Sequence, residues 1–423
     1  SHLGSLKQLK IESLTLKNNV NITFKDKAFL KCDKALLDYK KFSGDFSSYP
    51  DQRVIFNDTY SSQENQEVAL TVQSKKMNVD IITPNTISTA STHYIDDIKA
   101  FGDVNIHFSN EFVAQAEQAV YQRQHKTDIN TYGLLTLEKK TKNLCRLLHI
   151  HGDYIEGEKM SLDYSKQIFK GYNCQGSLKN VDLTMQQPWQ FKADEILWNY
   201  PNREINFEGN SHIFHTLWGN LNGTKKIKLN QDLVENQWLW RHIHCEGETH
   251  LNHVSENNHH MLTSHGALHM DHFLKKALLT PPKSPLSKEQ SYTYYKDNIG
   301  EIRARQVNID YSEDTQGLSI KVITLKGDVR LKNYLPYEGE NSTSQIAIAD
   351  ELVYYPKEGI AILSAKKPNN VLYLDQGNDI QISAPKIELQ RLAQNTSPLI
   401  KASGHVRARL NPNEIKEVEE KLL

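Results

Sequence analysis

The sequence predicts an all-β protein in which one small unit of strands is repeated and stacked. Three observations predict this: a recurring phrase that contains a tyrosine, apolar residues at alternate positions, and very little helical periodicity. Side chains alternate between the two faces of a strand, so alternate apolar residues mark a strand with one buried face. A unit that recurs in sequence and cannot bury its apolar face alone buries it against the next copy.

The recurring phrase has apolar residues four and two positions before a Tyr and an apolar-x-Gly triplet after it. A small residue or Cys lies seven positions before the Tyr. The fuller copies contain Tyr39, Tyr164, Tyr200 and Tyr311, the small residues Cys32, Gly157, Ala193 and Ala304, and the glycines Gly44, Gly171, Gly209 and Gly327. Two variants, Ala114 to Tyr121 and Ala347 to Tyr354, keep the spacing. We interpret the tyrosine ring as a cap on the apolar interior, with its hydroxyl at the rim.

Alternation of apolar and polar residues marks the individual strands. It runs through residues 20–24, 104–108 and 329–331, and again through residues 404–410. Gly102-Asp103 and Gly327-Asp328 precede two of these runs and supply turn chemistry. Helical signal is confined to the end of the chain, where Pro412 and the apolar spacing after it predict a short helix over residues 412–423.

Composition limits the classes of function. Hydrophobic residues make up 38% of the 423 residues, while Tyr (19) and Phe (13) are plentiful, which favours thin, half-exposed sheets over one thick core. Lys plus Arg (50) balances Asp plus Glu (51), so we expect no nucleic-acid partner. No apolar run approaches the roughly 20 residues that span a bilayer. The first residues lack the charged and apolar regions of a signal peptide, so we expect the sequence to begin at a processed or trimmed boundary.

One stretch interrupts the repeats. Residues 276–298 contain Pro281, Pro282 and Pro285, and proline is excluded from central strands. We therefore predict a Pro-rich loop or linker over 276–298, between an N-terminal β-array over 9–275 and a C-terminal β-array over 299–411.

The four cysteines, Cys32, Cys145, Cys174 and Cys245, form no CxxC motif. We interpret them as free thiols buried on strands, since Cys is among the most often buried residues. The alternative is one disulfide, for which Cys145 and Cys174 are the candidates because they lie in neighbouring repeats.

Histidines are concentrated in one segment: nine of the 18 lie between His242 and His272, together with Cys245. His242 and His244 share a strand face, and imidazole with thiolate suits zinc. The spacing matches no zinc-finger or HExxH pattern, however, so we favour structural and surface histidines and predict no metal site.

Catalytic motifs are missing from the sequence: there is no GxSxG, no P-loop and no GxGxxG that opens a helix. Asp194-Glu195 and Asp350-Glu351 recur at equivalent repeat positions, which indicates a solvated strand edge rather than an acid–base pair. We therefore expect a protein that is not an enzyme and needs no cofactor.

The recurring phrase resembles the OstA family of lipopolysaccharide-transport proteins, which includes LptA, the soluble part of LptC and the periplasmic domain of LptD. Members have small-Asp/Glu-x-apolar-x-apolar-x-Tyr, then apolar-x-Gly-Asp/Asn-Val-x-apolar. Ala193 to Tyr200 with Phe207 to Asn210, and Ala304 to Tyr311 with Leu325 to Leu331, fit this pattern closely. The resemblance covers roughly residues 15–270 and 300–410. It implies a stack of V-shaped antiparallel turns, a twisted β-jellyroll open along one side.

The resemblance also implies a function: a periplasmic carrier or bridge whose apolar interior holds the acyl chains of lipopolysaccharide or a related glycolipid on the way to the outer membrane. The residues that we predict to line this interior are the apolar members of the alternating runs: Val20, Ile22, Phe24, Val104, Ile106, Phe108, Val329, Leu331 and Val406. Each of them is equally suited to plain core packing between sheets.

Partners follow from the ends of the stack. An open stack leaves unpaired backbone groups on its first and last strands, which can add a strand from another chain. We expect other lipopolysaccharide-transport proteins there, and a head-to-tail homo-oligomer is a second arrangement that such edges allow. Two other functions remain open from the sequence: a carbohydrate-binding or adhesive β-solenoid, and a scaffold for envelope assembly that holds no ligand.

Overall fold

The computed structural model describes residues 11–24, 28–61, 66–82, 94–123, 133–179, 188–216, 219–255, 258–298, 300–314, 317–335, 343–390 and 399–410. The prediction of an all-β fold is confirmed. Within these ranges the chain forms β-strands and one short 3-10 turn, Glu289–Ser291, with no α-helix. The helix predicted for residues 412–423 lies outside the described residues.

The chain forms two compact units: Ser1–Lys179 with Lys192–Ile205 (unit 1), and Asn180–Phe191 with Asn206–Leu423 (unit 2). Unit 1 contains β1 (Ser13–Thr23), β2 (Phe29–Asp38), β3 (Ser43–Ser47), β4 (Val54–Ser61), β5 (Glu67–Ser74), β6 (Lys76–Ile82), β7 (Tyr94–Phe108), β8 (Phe112–Gln122), β9 (Leu134–Glu138), β10 (Cys145–His149), β11 (Tyr154–Gly157), β12 (Lys159–Asp163) and β13 (Ile168–Leu178). The chain passes between the units within β14 (Trp189–Asn199) and β15 (Glu204–His215).

Unit 2 continues with shorter strands and two long ones. They are β16 (Gly219–Gly223), β17 (Lys226–Val234), β18 (Gln237–Glu246), β19 (Thr249–Ser255), β20 (Asn258–Ser264), β21 (Ala267–Asp271), β22 (Lys276–Thr280), β23 (Thr293–Lys296), β24 (Gly300–Ala304), β25 (Gln306–Asp314), β26 (Gly317–Leu335), β27 (Thr343–Tyr355), β28 (Ile360–Ser364), β29 (Val371–Asp375), β30 (Ile380–Ala384), β31 (Lys386–Gln390), β32 (Leu399–Ser403) and β33 (Arg407–Arg409).

Long strands bend sharply where the sequence has Gly-Asp. In β7, residues before Gly102 pair with β6 and residues after Asp103 pair with β5. Both bend residues have positive φ, 78° and 46°, which Gly adopts freely and Asp tolerates better than most residues. Strand β26 bends in the same way at Gly327-Asp328, with β25 on one side of the bend and β24 on the other. Each bent strand therefore forms a V whose two halves belong to different columns of strands.

The V-shaped turns stack through antiparallel pairs, so each unit has two columns of strands, which we call arms. In unit 1, arm A runs through β1, β2, β3, β6, β7, β8, β9, β12 and β13, and arm B through β1, β2, β4, β5, β7, β8, β10, β11 and β13. In unit 2, arm A runs through β17, β18, β21, β22, β25, β26, β27, β28, β31 and β32, and arm B through β16, β19, β20, β23, β24, β26, β27, β29, β30 and β33. These antiparallel pairs differ from the parallel coils of a right-handed β-helix.

Small residues fill the inner side of the bend, which we call the vertex. A Cβ on Gly157 or Gly171 would lie 2.6 Å or 2.5 Å from the Sγ of Cys174. Cys145 pairs across the strands with Gly157 and is buried beside it. The small residue seven positions before the Tyr is thus explained at this repeat, because the vertex leaves no room for a larger side chain.

The four cysteines are buried free thiols, and the alternative of a disulfide between Cys145 and Cys174 is not realised. Burial raises the pKa of the Cys174 thiol to about 12 and that of Cys145 to about 11. Both therefore stay protonated and unreactive at neutral pH.

The proline-rich stretch is part of the second stack. The predicted loop or linker over 276–298 begins with β22 and contains β23, and its prolines lie in the irregular connection between these strands. The two compact units instead divide near residues 180–205. The sequence identified the interruption because prolines exclude a strand locally, but strand pairing across that loop joins its two sides.

Candidate functional site

The inner faces of the two arms form the candidate site, and we call the space between them in each unit the trough. On arm B of unit 1, Val104, Ile106 and Phe108 point inward and are 1%, 0% and 4% exposed. The arms touch across this space: Phe56 of arm B lies 6.0 Å from Tyr121 of arm A, measured between ring centroids. The apolar lining follows from the alternation of the strands, since every second residue faces the opposite arm.

The other predicted lining residues divide into three groups. Val329 and Leu331 lie on the inner face of unit 2 and are buried. Val20 is buried on β1, whereas Ile22 and Phe24 are half-buried, because β1 begins the stack and has a strand on one side only among the described residues. Val406 lies between β32 and β33 and is 42% exposed. The role of all nine residues in lipid binding stays a prediction.

Side chains fill most of the trough. In unit 2 a cavity of about 50 Å³ remains between the arms. Its lining includes Tyr295, Ile302, Leu331, Tyr354, Ala361 and Leu389. A cavity needs about 10–15 Å³ of such water-accessible space to hold one water, so this cavity has room for a few waters only. An acyl chain therefore needs the arms to separate or the aromatic side chains to rotate.

In unit 1 aromatic rings meet near the open ends of the arms. Phe112 lies 5.2 Å from Tyr200, 6.0 Å from Trp198 and 4.8 Å from the ring of His149. Burial lowers the pKa of His149 to about 4, so this imidazole is neutral at pH 7. The nearby carboxyl of Asp153 is also buried, which raises its pKa to about 6. Aromatic rings therefore line this end of the trough, and the imidazole among them is neutral at pH 7.

Tyrosines of the recurring phrase reach from one arm to the other. In unit 1, the hydroxyl of Tyr121 on arm A donates to Oδ2 of Asp58 on arm B at 2.7 Å. Arg123, just after β8, donates to the same carboxylate from Nε at 2.6 Å and from Nη2 at 2.8 Å. The side chains of Asp58 and Arg123 are only 2% and 8% exposed. A buried ion pair thus joins the arms.

Unit 2 has a counterpart of this bridge that centres on the carboxylate of Asp297. The hydroxyl of Tyr354 on arm A donates to Oδ2 of Asp297 at 3.2 Å, and that of Tyr295 donates to the same oxygen at 3.1 Å. Nδ1 of His260 lies 2.8 Å from the Tyr295 hydroxyl. Burial lowers the pKa of His260 to about 4. Tyr121 and Tyr354 fit the interpretation that the repeat tyrosines line the interior, since both rings are buried and both hydroxyls join a carboxylate. Tyr39, which ends the first copy, does not fit it, because it is 40% exposed.

The predictions from the sequence did not include the carboxylates that accept hydrogen bonds from these tyrosine hydroxyls. Val54, Phe56, Asp58 and Tyr60 alternate along β4, so Asp58 occupies an inward position that the pattern reserves for apolar residues. A charged residue on the apolar face of a predicted strand is the signal that could have identified it. His149 on β10 and Asp375 on β29 break the alternation in the same way.

The histidines between His242 and His272 have separate partners. Nδ1 of His244 lies 3.0 Å from Nδ1 of His269, and Nε2 of His250 lies 2.9 Å from Oε1 of Glu248. Among the described residues, no three His, Cys, Asp or Glu side chains come together in an arrangement that could hold a metal ion.

The recurring acidic pairs lie on the outer faces of strands. Asp194 is exposed, and Oε1 of Glu195 lies 2.5 Å from Nζ of Lys170. Asp350 accepts a hydrogen bond from the backbone N–H of Lys366 at 2.7 Å. These carboxylates bind neighbouring cations and amides, as a solvated strand edge does.

Comparison with known proteins gives likenesses to solved structures but no match in sequence. No family model matches the sequence, and no curated protein matches it. A solved structure, that of LptH from Pseudomonas aeruginosa, described as the LptA-homologous periplasmic component of the lipopolysaccharide transport device, is similar over 36% of this chain and 95% of that chain, with 10% identity and a TM-score of 0.26. At this level of similarity the likeness carries no argument about function. Separately, the part of the chain that the structure describes holds no helix of the length and apolarity that crossing a membrane requires.

Proposed function

We propose that this protein is a periplasmic carrier or bridge that holds the acyl chains of lipopolysaccharide or a related glycolipid in its troughs during transport to the outer membrane. The observation that carries the proposal is the pair of arms in each unit, with apolar inner faces that continue from one V-shaped turn to the next. Such an interior can hold an acyl chain lengthwise, along the direction in which the turns stack. The sequence resemblance to OstA-type proteins supports the same function.

The energetics suit an aliphatic ligand. Burying one CH₂ group contributes about 0.8 kcal/mol, so several chains of ten or more carbons offset a substantial cost of separating the arms. The polar sugars of the glycolipid do not need to enter the trough, because they remain hydrated outside it. The residues proposed to contact the chains first are the inward ones near the arm ends, such as Phe108 in unit 1.

The first strand of unit 1 and the last strands of unit 2 are the proposed contacts with partner proteins. Within the described residues, β1 pairs only with β2, and β32 and β33 pair only with β31 and β30. A terminal strand that is paired on one side leaves backbone donors and acceptors for another strand. Other lipopolysaccharide-transport proteins, or a second copy of this chain added head to tail, are the partners that we propose.

Native mass spectrometry of the full chain, purified without detergent and then incubated with a lipid A-like amphiphile, tests the proposal. We expect bound species whose added mass equals that of one or a few amphiphiles, and loss of these species when excess competing amphiphile is added. A spectrum with only the unliganded chain, at amphiphile concentrations well above those that saturate other carriers, would contradict the carrier function.

A further inference from the structure

The buried carboxylate of Asp58 accepts hydrogen bonds from four donors. Its Oδ2 accepts from the Tyr121 hydroxyl and from Nε of Arg123, and its Oδ1 accepts from Nη2 of Arg123 and from the backbone N–H of Thr59 at 2.8 Å. Tyr121 and Arg123 both belong to arm A, whereas Asp58 and Thr59 belong to arm B. Three of the four hydrogen bonds therefore cross the trough.

The cross-trough donors have the geometry of an anion site. A guanidinium that presents Nε and Nη2 side by side matches the two oxygens of a carboxylate or a phosphate, and the Tyr121 hydroxyl adds a third donor at the same oxygen as Nε. Burial strengthens these bonds, and it also makes an uncompensated Arg123 costly. By contrast, Arg146 and Glu156 pair on the outer face of unit 1, where the Arg146 side chain is 57% exposed and such a pair contributes little.

The trough cannot take an acyl chain without moving these groups. Asp58 follows Phe56 on the inner face of arm B, and the ring of Phe56 already contacts Tyr121. Separation of the arms would carry Asp58 away into water while Tyr121 and Arg123 stay together on arm A. A ligand whose headgroup is anionic replaces the hydrogen bonds that Arg123 and Tyr121 made to Asp58. A ligand with a neutral headgroup does not replace them.

We propose that Tyr121 and Arg123 form a binding site for the anionic headgroup of an amphiphile, and that Asp58 occupies this site as an internal substitute until the ligand's anion replaces it. The proposal rests on the function proposed above and adds the headgroup class and the means of selection. Amphiphiles that carry a phosphate or carboxylate next to the acyl chain are selected over neutral ones of equal chain length.

The test is calorimetric titration of the full chain with dodecyl phosphate and with dodecyl maltoside, both below their micellar concentrations. Asp58→Asn removes the competing charge and keeps the shape of the side chain. We expect it to tighten the binding of dodecyl phosphate by about tenfold or more, which corresponds to 1.4 kcal/mol, and to change dodecyl maltoside binding far less. Arg123→Gln should lower the phosphate-to-maltoside affinity ratio by about tenfold, and Arg146→Gln, on the outer face, should leave the ratio unchanged.

Because Asp58→Asn leaves Arg123 buried with fewer partners, its folding is checked by circular dichroism. Tyr121→Phe is the second variant: it removes one donor and no charge, and the phosphate affinity should fall while the maltoside affinity stays. Equal changes for both amphiphiles in the Asp58 and Tyr121 variants would overturn the anion site and leave the ion pair as a latch only. Absence of binding by either amphiphile in every protein would refute the carrier function as well as the anion site.

Discussion

Ile106→Asp is expected to destabilise unit 1 by at least about 4 kcal/mol, whereas Asn105→Asp, one residue away, should change its stability by about 0.5 kcal/mol or less. Ile106 is fully buried on the inner face of arm B, so an aspartate there loses its hydration and gains no partner. Asn105 points to the outer face. Leu331→Asp and Lys332→Asp form the equivalent inner and outer pair in unit 2, since Leu331 is buried and Lys332 is exposed.

Urea denaturation followed by circular dichroism measures these differences, and titration with a fluorescent acyl probe measures binding for each variant that still folds. The inner variants should lose both stability and probe binding, and the outer variants should keep both. Equal losses for Ile106→Asp and Asn105→Asp would mean that the inner and outer faces are assigned wrongly and that the proposed trough does not exist in unit 1.

Acid should destabilise unit 2 through His260. Burial lowers its pKa to about 4, although the neighbouring Asp297 acts in the opposite direction, while an unfolded chain has the ordinary value of 6.5. Between these values the unfolded state binds the proton and the folded state does not, so stability falls as the pH drops from about 6.5 to about 4. A difference of this size corresponds to a loss of up to about 3 kcal/mol.

His260→Gln keeps a polar side chain and removes the titration, so the free energy of unfolding should depend less on pH over this window. His259→Gln is the matched control, because His259 is exposed on the opposite face of the same strand. In unit 1 His149 acts in the same direction, but the buried Asp153, whose pKa is raised to about 6, favours the folded state as the pH falls. A pH profile that is unchanged in His260→Gln would contradict the buried, neutral imidazole.

Local patterns predicted the fold well because its main features are local in sequence. Period-two alternation identifies the strands, Gly102-Asp103 and Gly327-Asp328 mark bends with positive φ, and Gly157, seven positions before Tyr164, reflects the limited space at the vertex. These features need no knowledge of which strand lies opposite. The prolines after β22 lie in the connection to β23, but their local pattern cannot reveal that β22 and β23 belong to one stack.

Features that depend on the facing arm could not be predicted in this way. Arg123 and Asp58 are 65 residues apart, and their contact depends on the offset between the two columns of strands. The alternation along β4 shows that Asp58 is out of place on an apolar face, yet it does not name the cation that compensates it. Val406 is the opposite case, because its local pattern matches that of the inner strands and yet it is half-exposed. Few strands cover its position.

Photo-cross-linking with a long-chain alkyl phosphate that carries a diazirine in its chain shows whether acyl chains enter the trough. The full chain is irradiated with the probe bound, and the modified residues are mapped by peptide mass spectrometry. We expect label on inward residues of the bent strands, such as Ile106 and Phe108 on β7 and Leu331 on β26. Label confined to outward residues of the same strands, such as Asn105 and Lys332, would contradict it.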